Sequence, residues 1–170
     1  MPHSIRPLAA ADLPGLLAVQ RACYGAGLLE SGEVFARRLA SPANCSLVLV
    51  REGGAVAGYL AAYRTRLHKV TPLHGDFAPV AQPDTLYLHD LAVHPAHAGQ
   101  GLAAALLAAL WRGVGADGGL RHSALVAVPG AQGYWERQGY AVRALPDAGQ
   151  RQRLAGYGDG AVYMACTLQK

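Results

Sequence analysis

Apolar positions in the first quarter of the chain recur at helical spacing. Leu13, Leu16 and Leu17 stand three to four residues apart, which predicts an amphipathic helix after a short extended run at residues 5–8. A second helix is predicted to begin at Ser31 and to end near residue 40. A Ser-Pro pair follows there, and proline disfavours helical backbone in the residue before it.

Two β-rich runs come next, at residues 46–50 and 55–64. Glu52, Gly53 and Gly54 stand between them and predict a hairpin turn. Residues 68–83 contain three prolines and show no periodicity. We therefore expect a loop there.

The second half of the chain alternates strand-like and helix-like segments. Strands are predicted at residues 85–93, 123–128, 140–145 and 161–168, and helices at 101–114 and 130–137. A strand–helix–strand order favours parallel pairing, whereas the earlier hairpin adds antiparallel pairs. The pattern predicts one α/β domain over residues 1–170, with a mixed central sheet of about six to seven strands flanked by about four helices.

Composition excludes several classes of protein. Of the 170 residues, 52% are hydrophobic and 15% are charged, which is the opposite of a disordered chain. The longest uninterrupted apolar run, residues 102–111, is half of the about 20 residues that a membrane helix needs. The N-terminus has no basic lead into a long apolar stretch, so neither a secretory signal nor a membrane partner is expected.

Cysteines and charge add two further expectations. Cys23, Cys45 and Cys166 are odd in number and scattered, which favours free thiols in a reducing cytoplasm. The net charge of +4 is spread along the chain and only 7% of residues are aromatic. A nucleic-acid binder would concentrate basic and aromatic residues, so no nucleic acid is expected as a partner.

The most informative segment leads from the strand that ends at Val93 into the next helix. Gly99, Gln100 and Gly101 stand directly before an alanine-rich first turn. The first N–H groups of a helix lack internal partners and carry partial positive charge, and glycine lets an anion approach them closely. The segment predicts a pyrophosphate cradle; the alternative is an ordinary glycine-containing turn.

A dinucleotide-binding fingerprint fits this segment less well. Residues 99–104 formally match it, but residues 94–98 separate them from the strand, whereas the fingerprint follows its strand tightly. The fingerprint also needs an acidic residue at the end of the next strand. Asp117 lies in the turn before that strand instead.

Two motifs resemble those of the GCN5-related N-acetyltransferase (GNAT) superfamily. The run LAVHPAHAGQGLAAALL is similar to the family's coenzyme A-binding motif, LAVxPxxRGxGhGxxLL, and GYWERQGY is similar to its second motif. They fall in the family's order at about its separation. The resemblance implies a GNAT-like fold and an enzyme that transfers acetyl from acetyl-CoA to a primary amine by direct attack in a ternary complex.

The resemblance also implies which residues bind the cofactor. Ala98 takes the place of the family's usual Arg or Gln, which predicts a weaker grip, although backbone N–H groups make most phosphate contacts in this family. The backbone N–H of Leu91 is expected to stabilise the oxyanion, and His97 to lie near the adenine. The expected cofactor residues are Leu91, Ala92, Val93, His97, Ala98, Gly99, Gln100, Gly101, Leu102, Ala103 and Ala104.

His89 is the predicted general base, with Tyr87 as its neighbour. The acceptor must lose a proton near neutral pH, which suits histidine. Strand alternation predicts Tyr87, His89 and Leu91 on one face and Asp90 on the other, where a charge-paired or capping role is expected. In the arylalkylamine branch, which the chain somewhat resembles, both positions that match Tyr87 and His89 are His. The alternative for His89 is a structural histidine bonded to backbone.

The general acid is where the sequence departs most from the family. The usual Tyr is replaced by Trp135, which cannot donate a proton usefully to a thiolate, and the adjacent Tyr134 is the candidate acid. Two alternatives remain: Tyr134 is a packed aromatic, or the thiolate leaves unassisted.

Several further expectations concern partners. His94 and His97 supply too few donors for a metal, so none is expected. The acceptor, a small-molecule or peptide amine, should enter between residues 21–33 and 68–83, where mixed charges leave its identity open. Dimers are common in the family, which leaves a homodimer open. The alternative functions are a non-catalytic acetyl-CoA-binding sensor and a peptide or protein N-acetyltransferase.

Overall fold

The computed structural model describes residues 2–169, which form seven β-strands and five α-helices. The strands are β1 (His3–Pro7), β2 (Leu47–Arg51), β3 (Val56–Thr65), β4 (Thr85–Val93), β5 (His122–Ala127), β6 (Ala141–Val142) and β7 (Val162–Thr167). The helices are α1 (Leu13–Cys23), α2 (Gly32–Ala40), α3 (Leu102–Val114), α4 (Gln132–Arg137) and α5 (Ala148–Ala155).

All seven strands belong to one sheet, in the order β1-β2-β3-β4-β5-β7-β6. Within the described residues β4 and β5 are the one parallel pair, and α3 provides the crossover between them. The remaining neighbours are antiparallel. The predicted single-domain α/β fold with a mixed sheet is confirmed, with five α-helices where about four were expected.

Helices cover both faces of the sheet, so the core has two parts. On the α1 face, α1 and α2 bury Leu16 and Phe35 against Tyr59 of β3. On the α3 face, Leu106 of α3 packs with Leu60, which also belongs to β3. Burial of apolar side chains on both faces makes β3 and β4 the centre of the molecule.

The N-termini of the first two helices are fixed by local polar contacts. The Ser31 hydroxyl accepts a hydrogen bond from the backbone N–H of Val34 at 3.3 Å and caps α2. Before α1, the Asp12 carboxylate accepts two hydrogen bonds from Arg6, at 2.7 and 2.8 Å. These contacts fix where α1 and α2 begin.

A β-bulge lies in β4 where its pairing with β5 ends. Ala61 of β3 pairs with Asp90 and Ala62 pairs with Leu88, so His89 is the extra residue. The parallel pairing of β4 with β5 also extends as far as Leu88. The backbone therefore changes direction at the residue predicted to be the base.

The bulge changes which side chains of β4 share a face. Alternation predicts His89 and Leu91 on one face and Asp90 on the other. Instead, Asp90 bonds to Tyr24 at the end of α1, whereas Leu91 packs into the α3 part of the core. The face prediction was wrong beyond His89, because one extra residue reverses the alternation that follows it.

The segment between β5 and β7 differs most from the prediction. The strand expected at residues 140–145 is reduced to Ala141–Val142, and α5 was not predicted. The Asp147 carboxylate caps α5 by accepting a hydrogen bond from the backbone N–H of Gln150 at 3.0 Å. Because α5 buries almost none of its side chains, it has no apolar stripe by which the sequence could reveal it.

Two observations concern the helices and the cysteines. None of the helices in residues 2–169 has the length and apolar character needed to cross a membrane. Cys23, Cys45 and Cys166 are free thiols, as predicted.

Gly58 in β3 offers a test of how tightly β3 and β4 pack. A Cβ at this position would stand 2.9 Å from the carbonyl oxygen of Ala92 and 3.3 Å from the Val93 side chain. We expect Gly58→Ala to lower the free energy of unfolding by about 1–3 kcal/mol because the strands must move apart. The control is Gly25→Ala, where a Cβ meets nothing within 4 Å. Urea unfolding measures both, and equal stability of the two variants would contradict the packing argument.

Candidate functional site

A cavity of about 300 Å³ opens where β4 and β5 stop pairing. We call it the central cavity. Its walls come from β4, β5, α4 and the segment that follows α1. The residues that line it are Tyr24, Leu28, Glu30, Leu73, Leu88, His89, Asp90, Leu91, Val93, Ala103, Leu125, Val126, Val128, Ala131, Tyr134, Trp135 and Tyr157.

The loop before α3, together with its first turn, forms the second part of the site. We call residues 98–104 the glycine loop. Gly99 and Gly101 have φ angles of +76° and +71°, which favour glycine, and a Cβ on either residue would meet nothing within 4 Å. Gly101 is the N-cap of α3 without a side-chain cap, and the first turn has no acidic residue. Open space above uncapped N–H groups fits a bound phosphate.

The glycine loop and the central cavity are continuous. Ala103, in the first turn of α3, lines the cavity together with Leu91 and Val93 of β4. A ligand that places an anion on the loop can therefore extend a thin arm between β4 and β5. Coenzyme A has this composition, with a diphosphate followed by a thin arm that ends in sulfur.

The other expected cofactor residues differ in how exposed their side chains are. Those of Ala92 and Leu102 are buried in the core, so their backbone alone could meet a ligand. The His97 ring lies at the other end of the loop, where desolvation and the nearby Arg51 lower its pKa. Ala104 is exposed in the first turn of α3.

Arg51, at the end of β2, is a neighbour of the glycine loop that the sequence did not reveal. Its Nη1 lies 3.4 Å from Oε1 of Gln100 and 3.3 Å from Nδ1 of His97. Arg51 is distant in sequence from the loop, so the sequence pattern does not connect the two. In the structure it brings a positive charge beside the loop, where Ala98 replaces the basic or polar side chain usual in the family.

His89 is held by a carboxylate. Its Nε2 lies 2.8 Å from Oε1 of Glu30, and its side chain is 2% exposed. Its Nδ1 is buried and has no hydrogen-bond partner among the described residues. The rings of Phe77 and Tyr87 pack on it, with centroids 5.6 and 6.4 Å away. His89 is therefore bonded to a side chain and not to backbone.

Glu30 is the centre of a buried ionic cluster, which we call the Glu30 cluster (Glu30, Arg38 and His89). Arg38 donates two hydrogen bonds to the carboxylate at 2.8 and 2.5 Å, and the backbone N–H of His74 donates a third at 2.8 Å. Burial opposes ionisation, but the hydrogen bonds from His89 and Arg38 outweigh it and hold the pKa of Glu30 well below its usual range.

The charge of Glu30 fixes the tautomer of His89. An ionised carboxylate accepts hydrogen bonds and donates none, so Nε2 of His89 must carry the hydrogen. In neutral His89 the lone pair therefore belongs to Nδ1, the atom without a partner. Because Arg38 and Glu30 balance each other, a neutral His89 leaves the Glu30 cluster without net charge.

Tyr87 does not reach the cavity. It is 1% exposed and lies behind His89 in the core, where its hydroxyl accepts a hydrogen bond from the backbone N–H of Thr71 at 3.4 Å. Burial raises its pKa well above the ordinary value. Tyr87 is a neighbour of His89, as expected, but its side chain packs in the α1 part of the core, and any part in proton transfer stays a prediction.

Asp90 lines the cavity and is held by two tyrosines. Tyr24 donates a hydrogen bond to Oδ1 at 2.7 Å, and the Tyr59 hydroxyl donates to Oδ2. Burial raises the pKa of Asp90, and these hydrogen bonds lower it in part. The two hydroxyls satisfy the carboxyl oxygens of Asp90 without placing a cation beside them.

Tyr134, on α4, lines the cavity. Its ring packs edge-on against Trp135, with centroids 5.0 Å apart, and Trp135 packs in the same way against Tyr140 at 5.4 Å. Desolvation raises the pKa of Tyr134, and Arg137 lowers it in part. Tyr134 is half-buried while Trp135 is buried, so of the two Tyr134 is the more accessible.

No metal centre is apparent in the described part of the chain, where no three His, Cys, Asp or Glu side chains are grouped to hold an ion. His94 and His97 are neighbours with ring centroids 6.0 Å apart, and Nδ1 of His94 accepts a hydrogen bond from the backbone N–H of Ala96.

The Glu30 cluster makes stability depend on pH in a predictable direction. A carboxylate with a depressed pKa stabilises the fold above the pKa of the unfolded chain, about 4.3, and loses that contribution as the pH falls towards its folded value. We expect the free energy of unfolding to be nearly constant from pH 7 to 5.5 and to fall below about pH 4.5. Glu30→Gln should cost about 3–5 kcal/mol at pH 7, since Arg38 is left buried and unpaired.

The control for this prediction is Asp76→Asn, which breaks an exposed ion pair with Arg37. It should change stability little, because an exposed ion pair stabilises little. Denaturant unfolding at each pH measures the free energy. If Glu30→Gln does not fold, the pH dependence of the unmodified protein still tests the prediction. A free energy of unfolding that is unchanged down to pH 3 would contradict a depressed pKa of Glu30.

The sequence matches a known family over most of its length. A family model described as acetyltransferase (GNAT) family matches residues 14–140. A search of curated protein sequences finds no significant match.

Solved structures share the fold at low sequence identity. The ribosomal-protein-S18-alanine N-acetyltransferase from Escherichia coli is 18% identical, with 99% of this chain and 96% of that chain covered and a TM-score of 0.70. The GphF GNAT-like decarboxylase in complex with isobutyryl-CoA is 21% identical, with 98% and 100% covered and a TM-score of 0.73. The PaiA N-acetyltransferase from Thermoplasma acidophilum in complex with coenzyme A is 15% identical, with 99% and 100% covered and a TM-score of 0.67.

Proposed function

The chain belongs to the acetyltransferase (GNAT) family, and from this premise we propose that residues 1–170 form one N-acetyltransferase domain. It transfers an acetyl group from acetyl-CoA to a primary amine by direct attack in a ternary complex. The observation that carries the proposal is the continuity between the glycine loop and the central cavity, in which a histidine oriented by Glu30 stands beside the gap between β4 and β5. Similar structures hold coenzyme A or isobutyryl-CoA, which supports the cofactor.

The glycine loop is the proposed site of the diphosphate. Uncapped N–H groups at the start of α3 would bind the phosphate oxygens, and Gly99 and Gly101 leave room for them. Arg51 adds a positive charge beside the loop and stands in for the basic side chain that Ala98 lacks. The edge of β4 beyond Leu88, where pairing with β5 ends, would hold the pantetheine arm as an added strand.

Acetyl-CoA would supply an activated acetyl thioester at the inner end of the arm. In the reaction one carbon–nitrogen bond forms and one carbon–sulfur bond breaks. His89 accepts the proton that the amine loses at Nδ1, the atom with a free lone pair; because Nδ1 is buried, a water must reach it to carry the proton. Glu30 holds the ring in that tautomer and is a positioning residue.

Two further groups complete the proposed chemistry. The backbone N–H of Leu91 would donate a hydrogen bond to the oxygen of the attacked carbonyl, a type of contact worth about 3 kcal/mol in other enzymes. Tyr134 would return a proton to the departing sulfur, since it lines the cavity and is more accessible than Trp135. The protons balance: the ammonium gives one proton to His89 before attack and loses a second as the amide forms, the sulfur gains one, and one proton is released in net.

His89→Ala tests the base. We expect kcat to fall about 10²- to 10⁴-fold while the Kd for acetyl-CoA, measured by calorimetry, stays unchanged. Release of free thiol is followed with arylalkylamines, polyamines and peptides as acceptors. His3→Ala, an exposed position in β1, is the control and should retain full activity. Turnover of His89→Ala at the rate of the unmodified protein would reject the base.

The same assay separates the competing functions. Binding of acetyl-CoA without turnover of any amine would favour a sensor, and turnover confined to peptides would favour a peptide or protein N-acetyltransferase. Absence of any heat with coenzyme A or acetyl-CoA would reject the proposal altogether.

Tyr134→Phe tests the acid. Removal of the hydroxyl should lower kcat on the order of 10²-fold and change KM for the acceptor much less, since the ring still lines the cavity. Tyr140→Phe is the matched control, because its hydroxyl bonds to Ser123 outside the cavity. An unchanged kcat in Tyr134→Phe would reject Tyr134 as the acid and leave it a packed aromatic residue.

A further inference from the structure

Beyond Leu88 one edge of β4 has no strand beside it, because its pairing with β5 ends there. The other edge stays paired with β3, and the backbone N–H of His94, the residue after β4, donates to the carbonyl of Ala57 at 2.8 Å. The backbone groups of successive residues point to opposite edges of a strand. The N–H and C=O groups of Leu91 and Val93 therefore point away from β3, to the free edge.

Two neighbouring side chains at the end of α1 contact the carbonyl oxygens of this free edge. The Cys23 thiol donates a hydrogen bond to the carbonyl of Val93 at 3.2 Å. The Tyr24 hydroxyl lies 3.2 Å from the carbonyl of Leu91 and shares its hydrogen between that oxygen and Asp90. Backbone carbonyls are rarely left without a partner in folded proteins, so these contacts replace the ones that β5 does not supply.

Both donors keep their hydrogens at neutral pH. Desolvation and the nearby Asp90 raise the pKa of the Cys23 thiol, and the same two causes raise the pKa of the Tyr24 hydroxyl. A thiolate or a phenolate could not donate to a carbonyl. The contacts between the end of α1 and the free edge are therefore intact at neutral pH.

The free edge is left with hydrogen-bond donors. Its two carbonyls are occupied by Cys23 and Tyr24, whereas the N–H groups of Leu91 and Val93 face the gap, in which no strand of residues 2–169 pairs with them. Leu91 and Val93 also line the central cavity. A ligand in the gap can therefore place carbonyl oxygens on this edge, and the rotation of β4 about its own axis sets the direction of both N–H groups.

We propose that Cys23 and Tyr24 are positioning residues, which fix the rotation of the unpaired end of β4 and so aim the N–H of Leu91 at the oxygen of the attacked carbonyl. The inference rests on the proposed acetyltransferase function. Helix α1 packs against both β3 and β4, so the two side chains at its end are held on a rigid element. A donor stabilises an oxyanion effectively only when its direction is fixed before the reaction.

Removal of either donor tests the proposal. Tyr24→Phe and Cys23→Ala should each lower kcat about tenfold and the double variant about 10²-fold, because a small misplacement of an aligned group is costly in rate. Coenzyme A has no acyl carbonyl to meet the N–H of Leu91, so its Kd, measured by calorimetry, should stay nearly unchanged. A crystal structure of the double variant should show the peptide groups of Leu91 rotated.

Cys23→Ser is the conservative variant, because its hydroxyl can still donate to the carbonyl of Val93. It should recover most of the kcat that Cys23→Ala loses. The matched controls are Cys45→Ala and Tyr163→Phe, since neither residue lines the central cavity and the Tyr163 hydroxyl accepts a hydrogen bond from the backbone N–H of His68. Both controls should retain the kcat of the unmodified protein. If the double variant does not fold, each single variant still tests the proposal.

The outcomes separate this inference from the function beneath it. If the unmodified protein binds acetyl-CoA but turns over no amine, the proposed acetyltransferase fails, and the positioning role fails with it. If the unmodified protein is active and Tyr24→Phe and Cys23→Ala keep its kcat, the positioning role is overturned while the acetyltransferase stands. A loss of kcat that is matched by equally weaker binding of coenzyme A, or that Cys23→Ser does not recover, also overturns it, since a purely structural role would behave in this way.

Discussion

The site depends on one constraint in the backbone: β4 and β5 hydrogen-bond as far as Leu88 and then separate. Parallel strands are normally buried and fully paired, so a gap between two central strands must be filled by something else. Here the gap becomes the central cavity, and the bulge at His89 occurs at the same point. The extra residue turns both His89 and Asp90 towards the α1 face, so that two ionisable side chains stand beside an opening in the sheet.

The Glu30 cluster connects this opening to the rest of the fold. A buried ion pair is no guarantee of stability, because desolvation of both ions offsets their attraction. Its value here is geometric. Arg38 also donates to the carbonyl of Gly75, so α2, the loop after β3 and His89 on β4 share one set of hydrogen bonds. Movement of that loop would therefore disturb the orientation of His89.

The sequence predicted the elements that depend on periodicity and missed those that depend on long-range contacts. The helix from Leu102 and the strand from Thr85 follow from apolar spacing, and the glycine loop between them follows from local chemistry. The partner of His89 could not be predicted, because Glu30 is 59 residues away and its segment has no periodic pattern. The face of Asp90 was predicted wrongly, since a bulge leaves no mark in a run of strand-forming residues. Arg51 could not be predicted for the same reason: it is 49 residues away from Gln100, which it contacts.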